Sequence, residues 1–176
     1  MDSIWGNIFN HKKKDDGITG TLKKVPLFEG LNKKELSSVV SVLHRREYQA
    51  GEVVFHQGVL ASGMYIVLHG TVSIIYEPTS DKLAELSQGE FFGELALLGD
   101  AVRSAEAVAK TPCTLLGFFQ ADLFGIIERN PMLGVKIMSH LANIIGERLK
   151  KSNEQVQSLR EELYALRSRP GQPERL

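Results

Sequence analysis

The sequence predicts an α+β fold of mainly β character, a jelly-roll-like double sheet preceded by helices and followed by one long coiled-coil helix. Three observations carry that class. Between about residues 50 and 120 the chain breaks into the short runs VVFHQ, GMYIVL, TVSIIYE, KLAEL, AEAVA and CTLLGFF, rich in β-branched and aromatic residues and separated by Gly, Ser, Asp or Pro. Ahead of them stands a helix start signal at Asn32. Beyond Gln120 apolar residues recur three and four apart as far as Arg167, the spacing of a helix that packs along a seam.

Residues 1–24 read as an arm. Ile4, Trp5, Ile8 and Phe9 stand at helical spacing, and Lys12, Lys13 and Lys14 follow before a glycine-containing stretch. An arm folded on its own domain or on a neighbouring subunit is the preferred reading, and a membrane-surface helix the second, because one short stripe binds lipid weakly. The roll domain is expected over 25–130. It opens on a helix-like segment, LNKKELSSVVSVLHRRE, with Asn32 as N-cap, Glu35 as capping-box partner, and Leu36, Val39, Val40 and Leu43 as its buried face. Within the roll, Val72, Ile74 and Tyr76 alternate with Thr71, Ser73 and Glu77, which places one set inward and the other outward.

The long helix is expected over 131–167 and a tail over 168–176. Its seam is Val135, Met138, Ala142, Ile145, Leu149, Ser152, Val156, Leu159, Leu163 and Leu166, in strict alternation of three and four. The upstream part can lie on the roll, but one helix cannot bury the rest of this row alone. A parallel homodimer is therefore expected. Ser152 is the polar exception, there either to fix register or to face a ligand.

Composition narrows the function classes. Lys plus Arg and Asp plus Glu both number 21, so no global field attracts a polyanion, and DNA is not an expected partner. The single cysteine, Cys113, lies in an apolar run and fits a reducing compartment, and no run reaches the roughly 20 apolar residues of a membrane span. The reading is a soluble, cytoplasmic protein. His44, His56 and His69 lack the close pairing expected of metal ligands, and no nucleophile, base and orienter stand together, so neither a metal site nor catalysis is expected.

The stretch GEFFGELALLGDAVRSAEA, residues 89–107, holds a different chemistry. A glycine followed by a short helical turn offers amide N–H groups, here of Leu95 and Ala96, which with the helix dipole suit an anion. Arg103 brings a planar fork of donors matched to phosphate oxygens, each charge-assisted bond contributing about 1.5–3 kcal/mol, and Ser104 adds a neutral donor. Glu94 is out of place beside a phosphate unless the same ligand carries a hydroxyl that an ionised acid can accept from. A Glu94–Arg103 ion pair tying loop to strand is the competing reading.

These residues resemble the cyclic nucleotide-binding domain of catabolite-activator-type regulators, protein kinase A regulatory subunits and cyclic nucleotide-gated channels. The likeness covers roughly residues 25–160: VPLFEGL, AGEVVFHQG, GMYIVLHGTVSI, and above all FGELALL followed by RSA, which resembles the family's phosphate-binding cassette. The resemblance implies a cyclic nucleotide-binding β-roll in which Glu94 holds the ribose 2′-hydroxyl and Arg103 and Ser104 the cyclic phosphate. It also implies that Gly93, Leu95 and Ala96 line the cassette, with Ile74 and Leu83 as apolar contacts to the base. GERLKKSNEQV is similar to the dimer helix of catabolite activators, which implies that Ser152 and Asn153 face the base; the helix-turn-helix of those relatives is not expected here.

The implied function is a non-catalytic cyclic-mononucleotide sensor, for cAMP before cGMP, needing no other cofactor. It relays occupancy through the dimeric helix to an unknown protein partner. The alternative is a structural or adaptor dimer with a degenerate pocket, supported by Asp100, an acid placed to compete for Arg103.

Overall fold

The computed structural model describes residues 17–77, 79–99 and 101–167. The apolar stripe of the arm, Lys12, Lys13, Lys14, Asp100 and the tail lie outside them. The chain divides into two compact units, Met1–His140 and Leu141–Leu176.

In the first unit, residues 17–22 are helical (α1), followed by a 3-10 turn at Pro26–Phe28 and by α2, Lys33–Val40. The capping box expected at α2 is formed. Asn32 Oδ1 accepts from the Lys34 and Glu35 amides at 2.9 and 3.1 Å, and Glu35 Oε2 accepts from the Asn32 amide at 2.8 Å. Leu36 and Val39 are buried, whereas Val40 and Leu43 are half-buried.

The strands that follow are β1 His44–Tyr48, β2 Val53–Phe55, β3 Leu60–Ala61, β4 Gly63–His69, β5 Val72–Tyr76, β6 Asp81–Leu86, β7 Phe91–Phe92, β8 Ala101–Val102, β9 Glu106–Ala109 and β10 Cys113–Phe119. They form two four-stranded antiparallel sheets, β1-β10-β4-β7 and β2-β9-β5-β6, and a two-stranded ribbon, β3-β8. Each of the apolar runs read from the sequence contains a strand. Val67, Val72, Phe92, Ala107, Ala109, Cys113 and Leu115 make up a core drawn from both sheets, and burying each large apolar side chain contributes roughly 1.5–3 kcal/mol.

Three expectations fail locally. Helix α2 ends at Val40, and HRREY is strand β1, an edge strand paired only with β10 among the described residues. Its charged residues are what an exposed sheet edge carries against unwanted pairing. Tyr76, expected inward, is 39% exposed because it ends β5, where the hairpin to β6 opens. Ser73, expected outward, is buried, since it pairs with both β6 and β9 in the middle of its sheet.

Helix α3, Gln120–Arg129, stops before Pro131, and α4 runs Pro131–Arg167. In the first unit α4 is held by Lys136 Nζ to Glu35 Oε1 at 2.7 Å and by His140 Nδ1 at 3.2 Å from the Leu27 carbonyl. That oxygen can only accept, which assigns the proton to Nδ1. Leu133 and Ile137 of α4 are fully buried in this unit, while Val135 of the predicted seam is 59% exposed. Val135 is two residues from each, about 200° round a helix of 3.6 residues per turn, so it points away from the roll.

In the second unit α4 continues as a single helix whose Leu149, Ser152, Val156, Leu159, Leu163 and Leu166 are all exposed. No helix among the described residues is long and apolar enough to cross a membrane.

Candidate functional site

The site grows from the end of β7. Gly93 follows Phe92 with φ 78°, a left-handed conformation that a side chain resists, and turns the chain directly into the 3-10 helix Glu94–Leu97. A Cβ added at Gly93 would fall on Arg103 Nη1. The glycine thus serves both the turn and the approach of the guanidinium. The Ala96 amide donates to the Gly93 carbonyl at 3.2 Å, closing the turn. The expected pair of anion-facing amides is corrected accordingly: Ala96 N–H is used inside the turn, whereas Leu95 N–H precedes the first bond the turn can make with itself.

Arg103 follows β8. Its backbone is fixed at both ends, its amide donating to the Val59 carbonyl at 2.9 Å and its carbonyl accepting from the Gly58 amide at 2.8 Å. The side chain is buried, and its Cζ sits 3.9 Å from the centre of the Phe55 ring. Nη2 donates to the Gly63 carbonyl at 2.7 Å and Nη1 to the Gly93 carbonyl at 3.4 Å, whereas Nε is buried with no hydrogen-bond partner among the described residues. Burial pulls this guanidinium below its ordinary pKa, and the charges of Tyr65 and Glu94 act in the opposite sense. Two carbonyl dipoles and a ring face are modest compensation for a cation withdrawn from water.

Glu94 is also buried, at 4% exposure, which is rare for a carboxylate unless it is engaged. The structure therefore brings Gly93, Glu94, Leu95, Ala96 and Arg103 together around one turn, with Leu95 exposed and Ala96 buried. Ser104 is exposed beside Arg103. Ile74 is half-buried against the core on β5, and Leu83, on the neighbouring β6, is 59% exposed. Ser152 and Asn153 are exposed residues of the second unit.

Sequence reasoning misses Phe55 and Gly63. Phe55 belongs to an aromatic group with Tyr65 and Phe92, ring centres 5.7–6.1 Å apart. The aromatic ring in VVFHQ is the available signal, and the irregularity between Val53 and Phe55 sets Phe55 opposite the buried Ala107. Gly63 acts through its carbonyl, which no residue pattern reveals.

Residues 45–130 match the cyclic nucleotide-binding domain family. The chain is 35% identical over 135 residues to the cyclic AMP receptor protein of Thermus thermophilus, covering 75% of this chain and 61% of that protein. The crystal structure of the Thermus thermophilus catabolite activator protein superposes with a TM-score of 0.68 at 34% identity, over 76% of this chain and 62% of that one. A cyclic nucleotide-binding domain from Methylobacillus flagellatus superposes with a TM-score of 0.71 over 83% and 84% of the two chains; its 21% identity bears on the fold alone. This chain spans about three fifths of the length of the Thermus proteins.

Proposed function

This chain belongs to the cyclic nucleotide-binding domain family through residues 45–130, and on that premise we propose that it is a non-catalytic sensor of cyclic mononucleotides, cAMP before cGMP. The observation that carries the reading is the buried Arg103 guanidinium, held by backbone carbonyls and a ring, with Nε lacking a partner among the described residues. A cyclic phosphate supplies a further countercharge to Arg103 and an acceptor to the Leu95 amide, and the ribose hydroxyl supplies a donor to the buried Glu94. Ser104 adds a donor at the phosphate, and Ile74 and Leu83 offer apolar surface to the base. The preference for cAMP is supported by the relative named as a cyclic AMP receptor.

The output is a parallel homodimer through α4, with the exposed row from Leu149 to Leu166 as its seam. Ligand occupancy and helix packing are then coupled, and a further protein reads the change. Titration calorimetry of the purified chain with cAMP, cGMP and a cyclic dinucleotide tests the reading. Saturable binding of a cyclic mononucleotide, with the dinucleotide silent, is expected. No heat from either mononucleotide, together with a melting temperature that neither raises, would leave a structural adaptor instead. At 100 times the dissociation constant a ligand adds about 2.7 kcal/mol, or roughly 5–10 °C for a chain of this size.

A further inference from the structure

Away from the cassette, three strands bring together side chains that lie far apart in sequence. His56 directly follows β2, Glu77 directly follows β5, and Glu106 opens β9. In the sheet β2-β9-β5-β6 these three strands are adjacent. Phe55 pairs with Ala107 and Ile75 with Glu106, so the register sets His56 beside Glu106 and places Glu77 two residues beyond the Glu106 partner. Residues two apart on a strand share a face. The Glu77 amide also donates to Gln57 Oε1 at 3.0 Å, which ties the end of β5 to the residue after His56.

The three side chains converge. His56 Nδ1 lies 2.6 Å from Glu106 Oε2 and 3.8 Å from Glu77 Oε1, and all three donor atoms lie within 4.8 Å of one another. Donors bound at 2.0–2.2 Å to a tetrahedral ion stand about 3.3–3.6 Å apart. The shorter His56 contact therefore has to open by roughly an ångström or less, the longer one to close by about half an ångström at most, and the Glu77–Glu106 pair, within 4.8 Å, to close by about 1.5 Å at most. His56 and Glu77, with side chains 63% and 46% exposed, have room for that adjustment, while Glu106, at 17%, is the fixed member.

We infer that His56, Glu77 and Glu106 form a binding site for a divalent transition-metal ion of the Zn2+ class. One imidazole and two carboxylates are a donor set that Zn2+ accepts, and three protein ligands leave a position for water. Ca2+ and Mg2+ fit poorly, since Ca2+ takes six to eight oxygen ligands and Mg2+ prefers oxygen in octahedral geometry. Two carboxylates brought this close repel one another, and a divalent ion bound between them relieves that repulsion. The ion clasps the segment after Phe55 to the strand after Arg103, because Phe55 stacks on Arg103 and the neighbouring Gly58 and Val59 bond its backbone. The site stands independently of nucleotide binding.

The rival description is a metal-free cluster in which His56 alone bridges the two acids, and metal titration separates the two. The chelator-stripped full chain is titrated with ZnCl2 by calorimetry and with Co2+ by visible absorption. One Zn2+ per chain and the d–d bands of a low-symmetry Co2+ site are expected. His56→Ala should abolish binding and Glu106→Gln should weaken it about tenfold or more, in line with losses at metal-site positions. His44→Ala, at a histidine paired with Asp122, should leave it unchanged. Circular dichroism checks that each variant is folded. Absence of saturable Zn2+ binding to the parent chain, or binding that survives His56→Ala or Glu106→Gln unchanged, overturns the assignment.

Discussion

The cassette turn and the downstream part of α4 are incomplete in opposite ways. Around Gly93–Leu97 and Arg103 the deficit is polar: a buried cation, two carbonyl partners, and an Nε without one among the described residues. Along α4 beyond Leu149 the deficit is apolar, with Leu159 64% and Leu166 66% exposed at coiled-coil spacing. In the proposed function, a small anion complements the first and another helix of the same pattern the second. A buried guanidinium with a donor to spare selects a ligand by charge and direction, whereas an exposed apolar row gains mainly from area removed from water.

The contrast can be broken from either side, and the largest effect is expected on the helix. Leu159→Asp combined with Leu163→Asp takes two leucines per chain out of a homodimer seam, at roughly 1.5–3 kcal/mol each, and adds like charges across it. Sedimentation equilibrium should show monomer for this variant and dimer for the parent. Next is the cassette. Arg103→Ala forfeits one or two charge-assisted bonds of about 1.5–3 kcal/mol each, so cyclic nucleotide affinity should fall about tenfold or more while circular dichroism stays native. Binding of equal strength by both proteins would remove Arg103 from the site.

Gly93→Ala sharpens the comparison more gently. An alanine in the left-handed region costs about 1–2 kcal/mol, so the melting temperature should drop by roughly 2–8 °C. Affinity should fall with it, because the new Cβ displaces Nη1. The smallest effect lies in neither region. Glu85 is held at about 2, against an ordinary 4.5, first by Lys110 and then by Lys82, each 2.7 Å away. A carboxylate depressed in the fold contributes stability above its unfolded value and loses it as pH falls through the folded value. Glu85→Gln should therefore flatten the melting-temperature profile between pH 4.5 and about 2 and change little near neutral pH.

How much of the molecule is legible in its sequence follows from which interactions are local. The β runs and the long helix announce themselves because period two and the three-four spacing are properties of side-chain order. Strand β1 is hidden because HRREY continues a helix-like segment, and only pairing with β10 makes it a strand. At the site, Glu94 and Arg103 are legible as residue types, but Arg103 is positioned by carbonyls at Gly63 and Gly93 and by Phe55, groups brought in by tertiary pairing. The part played by the Ala96 amide is not written in FGELALL, because it depends on a turn tight enough for a bond three residues back. His56, Glu77 and Glu106 escape for a related reason, each being ordinary within its own segment and informative only once the sheet sets the three side by side.

The most direct test of a cyclic phosphate at Arg103 watches the side-chain Nε–H itself. In a 15N-labelled chain, its resonance is assigned by its loss in Arg103→Lys, and cAMP and then cGMP are added to saturation. A large shift and slowed solvent exchange of that one signal, as Nε gains an acceptor, is the predicted result. A resonance that neither nucleotide moves would contradict phosphate binding at this guanidinium.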